Sequence, residues 1–187
     1  MAKKIMAWSK CGIEIGKTGA SDAMATSLTS VGVIKDKSAV MESADGEELE
    51  MKSTGGETVG SERQEGTVTI TCRIIEPGKE FFTLLGIGTA GETAGDISVA
   101  SHVVSDEYSV KVTPNKVGAF GIEAPKCSVS VSEGWSEEDG NYADLTFGVL
   151  HGAQVDGKGK PYWFRKVPSN GLVADTTNGG YKANAAS

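Results

Sequence analysis

Residues Thr67–Ile75 run TVTITCRII. Val68, Ile70, Cys72 and Ile74 alternate with Thr67, Thr69, Thr71 and Arg73. Successive side chains of an extended chain point to opposite sides, so the apolar groups share one face and the hydroxyls and guanidinium the other. β-Branched residues dominate, and they suit a pleated surface. The stretch predicts a strand with one side on a core and one side in water.

The segment before it is different in kind. Met41–Gly66, MESADGEELEMKSTGGETVGSERQEG, holds Glu42, Asp45, Glu47, Glu48, Glu50, Glu57, Glu62 and Glu65 against Lys52 and Arg63. Eight minus two leaves six negative charges, in a chain whose net charge is −7. Within it, EELEMK puts Leu49 and Met51 on one side and Glu48, Glu50 and Lys52 on the other. That predicts a second half-buried strand, with an acidic face. Residues 53–66 show no apolar period and contain Gly55-Gly56, which predicts a long mobile loop. If EELEMK pairs antiparallel with TVTITCRII, then Glu48, Glu50, Lys52, Thr69, Thr71 and Arg73 form one wetted wall.

Outward from these segments the chain stays β-like. CGIEIG (11–16) predicts a strand, and TSLTSVGVIKDKSAV (26–40) another, with Val31 and Val33 on one face. EYSVKVTP (107–114), CSVSVSEGW (127–135) and ADLTFGVL (143–150) alternate in the same way, and KPYWFRKV (160–167) resembles a last strand. Asp139-Gly140 marks a turn, because that pair tolerates positive φ. In EPGKEFFTLLGIG (76–88) Phe81, Leu84 and Leu85 change to helical spacing, with Gly86 placed to stop the run. About eight short strands and one helix predict a mainly β domain, a sandwich or partial barrel. The domain spans residues 1–167, with an N-terminal arm at about 1–10 and a C-terminal arm at 168–187.

Composition narrows the function. The chain has 187 residues, enough to bury roughly 70% of its unfolded surface. Its acidity argues against a partner held by attraction to phosphates or to anionic lipid. Cys11, Cys72 and Cys127 are odd in number and widely spaced, as expected of buried reduced thiols. No apolar run is long enough for a signal peptide core or a membrane span, so a soluble protein of cytosolic origin is expected. GIGTAG (86–91) matches a dinucleotide fingerprint by letter, but a helix-like run precedes it where a strand belongs. GIEIGKTG (12–19) has its first glycine one residue too close for a phosphate loop. SEEDGNYAD (136–144) lacks calcium-loop spacing, and His102 and His151 stand far apart. Nothing here gives positive support for an enzyme, a cofactor or a metal.

Two runs carry a resemblance. TSLTSVGVIKDKSAVMESADGEELEMKSTGGETVGSERQEGTVTITCRIIEP (26–77) and TPNKVGAFGIEAPKCSVSVSEGWSEEDGNYADLTF (113–147) resemble bacteriophage tail tube (major tail) proteins in order and texture. The likeness covers roughly residues 10 to 150. It implies subunits that form hexameric rings stacked into a hollow tube, with strands from all subunits building a shared inner β-barrel. About 16–18 strands are needed before a barrel leaves an aqueous channel, so several chains must contribute. The implied setting is a virion tail made in the host bacterial cytoplasm, with no membrane contact. Partners would be copies of itself, other tail proteins and, in passing, double-stranded DNA. On this resemblance Glu48, Glu50, Lys52, Thr69, Thr71 and Arg73 face the lumen. Thr54, Glu57, Glu62, Arg63 and Glu65 belong to a ring-stacking loop, and Leu172, Val173 and Tyr181 anchor the C-terminal arm. Residues 1–20 and 151–187, each with a net charge of +3, would meet the acidic segment of a neighbour.

Three other readings fit a Gly-rich β-protein. One is a different virion component, such as a head decoration or tail-end protein. Another is a carbohydrate-binding sandwich with Trp135 or Trp163 as a stacking platform. The third is a hydrolase with an unrecognised site.

Overall fold

The computed structural model describes residues 10–90, 96–99, 101–115, 119–168, 172–174 and 181–183. Among the described residues the fold is mainly β, built on one large antiparallel sheet with one short α-helix. The strands are β1 (Cys11–Lys17), β2 (Thr29–Ser30), β3 (Val33–Ile34), β4 (Val40–Ala44), β5 (Glu48–Lys52), β6 (Thr58–Arg63) and β7 (Thr67–Ile75). After helix α1 (Lys79–Leu84) come β8 (Gly88–Ala90), β9 (Ile97–Val99), β10 (Tyr108–Pro114), β11 (Phe120–Ser136), β12 (Gly140–Val149), β13 (Arg165–Pro168), β14 (Leu172–Ala174) and β15 (Tyr181–Ala183).

Strand order in the large sheet is β2-β1-β10-β11-β12-β7-β3, with β4 on the same edge of β7 as β3 and with β13 on β11. The two ends of this order are joined by Val31 and Gly32 alone. Three Cα steps span at most about 11 Å, so β1 and β7 must approach each other and the sheet must curl. Val31 N–H donates to the Ile13 carbonyl (3.0 Å), while β3 pairs with Ile74 and Ile75. The result is a curled, sandwich-like body whose inward faces meet in one core.

That core is what the alternating sequences predict. Val68, Ile70, Cys72 and Ile74 of β7 point inward with Leu145, Phe147 and Val149 of β12 and Ile13 and Ile15 of β1. Helix α1 closes one side with Phe81 and Phe82, packed edge to face at 5.2 Å, followed by Leu85 and Ile87. Gly86 ends the helix at φ +69°, as expected. Ser109 is a buried polar group in this core, and both its bonds are made. Its hydroxyl donates to the Pro125 carbonyl (2.7 Å) and accepts from Ala25 N–H (2.8 Å). Burial pushes the Cys72 and Cys127 thiols up to about 12.

Several expectations need correction. Val31 and Val33 do not share a face. Gly32 sits at φ +115°, a left-handed conformation that rotates the chain, so Val31 is buried and Val33 is exposed. Strand β5 is not half-buried; all five of its residues are exposed. Residues 53–66 are not an irregular loop, because β6 fills much of that stretch. Residues 1–9 of the N-terminal arm lie outside the described residues. In the C-terminal arm, backbone pairs Leu172 with Ala183, Val173 with Lys182 and Ala174 with Tyr181. The anchoring contacts expected of Leu172, Val173 and Tyr181 lie outside what is described.

Candidate functional site

Strands β4 and β7 leave the body together and continue as β5 and β6. The register runs from Val40–Thr71 to Ala44–Thr67 in the sheet, then from Glu48–Arg63 to Lys52–Thr58 beyond it. Gln64 N–H bridges the gap to the Glu47 carbonyl (2.9 Å). At the junction the two strands cross too closely for side chains. A β-carbon on Gly46 would meet the Gln64 carbonyl, and one on Gly66 would meet the Ala44 carbonyl. The paired glycines let a ribbon project about 30 Å beyond Ala44, at roughly 3.3 Å per residue. Its tip turns over Ser53–Glu57, with Gly56 at φ +83° and Gly56 N–H donating to the Ser53 carbonyl (2.9 Å).

The ribbon has two unlike faces. Opposed residues of an antiparallel pair point the same way. Glu48, Glu50 and Lys52 therefore share a face with Arg63 and Ser61. Charges on this face are largely self-paired: Lys52 Nζ lies 3.1 Å from Glu50 Oε2 and Arg63 Nη2 3.7 Å from Glu48 Oε2. Arg63 also reaches Asp45, at 3.4 Å. The opposite face carries Leu49, Met51 and Glu62, with Leu49 and Met51 50% and 70% exposed. Thr54 and Glu57 occupy the exposed tip. Glu65, at the base, meets His151 Nε2 at 2.6 Å, and His151 stacks edge-on against Trp163 at 4.2 Å.

The expected wall of six residues is divided. β5 pairs with β6, not with β7, because β4 already occupies that edge of β7. Thr69 and Thr71 instead lie opposite Glu42 and Val40 on one edge, and opposite Gly148 and Thr146 of β12 on the other. One further strand across, Ser128 and Ser130 complete the rows. The outer face of β7, β12 and β11 is thus rich in short hydroxyl side chains. The alternation of TVTITCRII, CSVSVSEGW and ADLTFGVL marks each polar face by itself, and the pairing of β12 with β7 and β11 is what joins the three into one surface.

Arg73 ends that hydroxyl face in an ion cluster. Its Nε and Nη2 hold the Asp144 carboxylate at 2.7 and 2.8 Å, and Nη1 holds Asp139 at 2.9 Å. Lys35 Nζ donates to both Asp139 oxygens (2.6 and 2.8 Å), and the Tyr142 ring lies 4.0 Å beneath the guanidinium. Lys35 first, and Arg73 after it, hold the Asp139 carboxyl below its usual range. Arg73 is therefore fastened within its own chain. Of the two proposed platforms, Trp135 is 71% exposed at the end of β11, whereas Trp163 is half-buried against the core.

No helix among the described residues is long and apolar enough to cross a membrane. Comparison with known sequences finds no matching family model and no matching curated protein.

Proposed function

We propose that this chain is a structural subunit of a phage tail tube, forming stacked hexameric rings whose lumen conducts DNA during ejection. The observation that carries the reading is the β5–β6 ribbon, two strands held outside the core with no apolar layer of their own chain over Leu49 and Met51 among the described residues. An isolated two-stranded hairpin is marginal in water, so such a ribbon gains order by meeting another surface. Sheets from several subunits, each contributing strands such as β4, β7, β12 and β11, exceed the about 16–18 needed for an aqueous channel. A wall of hydroxyls and carboxylates suits DNA passage, because it offers few cations to displace counterions and hold the phosphates.

The test is assembly. Deleting residues 54–65 would strand β5 without its partner. The better variant replaces residues 46–65 with Asn-Gly, joining Asp45 to Gly66 by a tight turn and keeping β4 on β7. Electron microscopy of the concentrated wild type should show rings or hollow tubes, while the ribbonless variant stays folded and unassembled. A persistently monomeric wild type overturns the reading. The exposure of Trp135 favours a second reading, a carbohydrate-binding sandwich, for which binding to a sugar array abolished by Trp135→Ala would be the signature.

A further inference from the structure

The ribbon's uncovered face has a complement elsewhere on the chain. Between β12 and β13, residues 154–162 form a small hairpin closed by the Val155–Pro161 bridge. Its tip is preorganised. The Asp156 carboxylate accepts from Lys158 N–H (2.8 Å) and Lys160 N–H (2.9 Å), and Gly159 sits at φ +76°. Asp156 is occupied by its own turn, and Lys158 and Lys160 are exposed with no ion pair among the described residues. Val155 stands beside them, 53% exposed. On the ribbon, Glu62 shares the face of Leu49 and Met51, and Glu57 lies at the tip; both carboxylates are exposed and unpaired among the described residues.

We infer that the Leu49–Met51–Glu62 face of the ribbon docks on the Val155–Lys160 hairpin of a second copy of this chain. Each surface joins exposed aliphatic carbon to unpaired charge, and the signs are opposite. The opposite ribbon face, with Glu48–Arg63 and Glu50–Lys52 already paired, has less charge to offer a partner. The contact is heterologous, two different patches meeting, which leads to a closed ring or an open stack. The inference rests on the self-assembly proposed above and adds which surfaces meet.

Two charge-reversed proteins test it. One carries Lys158→Glu and Lys160→Glu; the other carries Glu57→Lys and Glu62→Lys. All four sites are exposed, so each protein should melt within a few degrees of wild type. Each alone should raise the concentration needed for assembly by about tenfold or more, since like charges then face each other. Mixed in equal amounts, the two should co-assemble near the wild-type concentration, with acidic hairpins meeting basic ribbons and basic hairpins meeting acidic ribbons. Assembly is read by sedimentation and electron microscopy. If wild type assembles and the single proteins do so equally well, these surfaces do not meet, and the tube reading stands. Failure of the mixture, where a single chain carrying all four changes succeeds, would place the contact within one chain and overturn the docking. A wild type that never assembles overturns both proposals.

Discussion

Strand β7 and the β5–β6 ribbon belong to one continuous run of antiparallel pairing, yet they differ in what makes them strands. In β7 burial alternates residue by residue, and each inward side chain reaches the core. In β5 and β6 every residue is exposed, and backbone pairing alone holds the extended form. The change occurs across the Gly46–Gly66 crossing. Side-chain burial on one side of that crossing stabilises the body. On the other side exposed apolar groups contribute little to folding and are available to a neighbour.

The sharpest way to break this contrast is to remove the same kind of group on each side. Ile70→Ala deletes fully buried carbon and leaves a cavity, for an expected loss of about 2–5 kcal/mol. Met51→Ala removes a side chain that is 70% exposed, and the expected change is within about 0.5 kcal/mol. Urea unfolding at a concentration where the protein is monomeric measures both. Comparable losses would mean that Met51 is covered by its own chain.

The same contrast explains what the sequence could and could not reveal. TVTITCRII and ADLTFGVL record their burial in their own letters, so β7 and β12 were legible. The acidic ribbon face was legible too, because Glu48, Glu50 and Lys52 follow period two. Strand β6 was not, because TVGSER has no buried face to impose a pattern and owes its conformation to β5. The first third of β11 was missed for another reason. Gly121 lies where a side chain would strike the Val112 carbonyl, and Pro125 sits where the register with β10 slips between Tyr108 and Val110. Both residues suggest a loop by letter and serve a close approach and a bulge in fact. The partners of Arg73 were beyond reach, since Asp139 and Asp144 are brought to it by the β7–β12 pairing.

A smaller effect sharpens the comparison through charge. Asp139 is held below its ordinary pKa by Lys35 and then Arg73, so it favours the folded state while ionised. A depressed carboxylate contributes stability that is present above its unfolded pKa of about 3.9 and lost as pH falls through the folded value. Asp139→Asn should therefore lower the melting temperature at pH 7, and its deficit should shrink as pH is taken below about 4. Glu62→Gln, on the ribbon, should leave the melting temperature unchanged at neutral pH. A deficit for Asp139→Asn that stays constant into acid would mean that the cluster acts by packing and not by charge.

A small effect on folding is expected where the effect on function should be large. Glu48→Lys with Glu50→Lys reverses two exposed charges whose partners are Arg63 and Lys52. Exposed pairs are worth about 0–1 kcal/mol, so stability should fall little. Leu49, Met51 and Glu62 point to the other face and are untouched, so assembly should persist. The double substitution would place its two new lysines beside Lys52 and Arg63 on one face of every copy. A repeated basic surface releases counterions on meeting DNA and binds it with steep salt dependence. Under the proposed tube function, particles containing the variant should eject DNA more slowly than wild type at low ionic strength, and the difference should narrow as salt rises. Ejection rate against salt, in particles shown to contain the variant, measures it. Equal rates at low salt would mean that this face of the ribbon does not meet the DNA, and would leave the hydroxyl face of β7, β12 and β11 as the better candidate for the lumen wall.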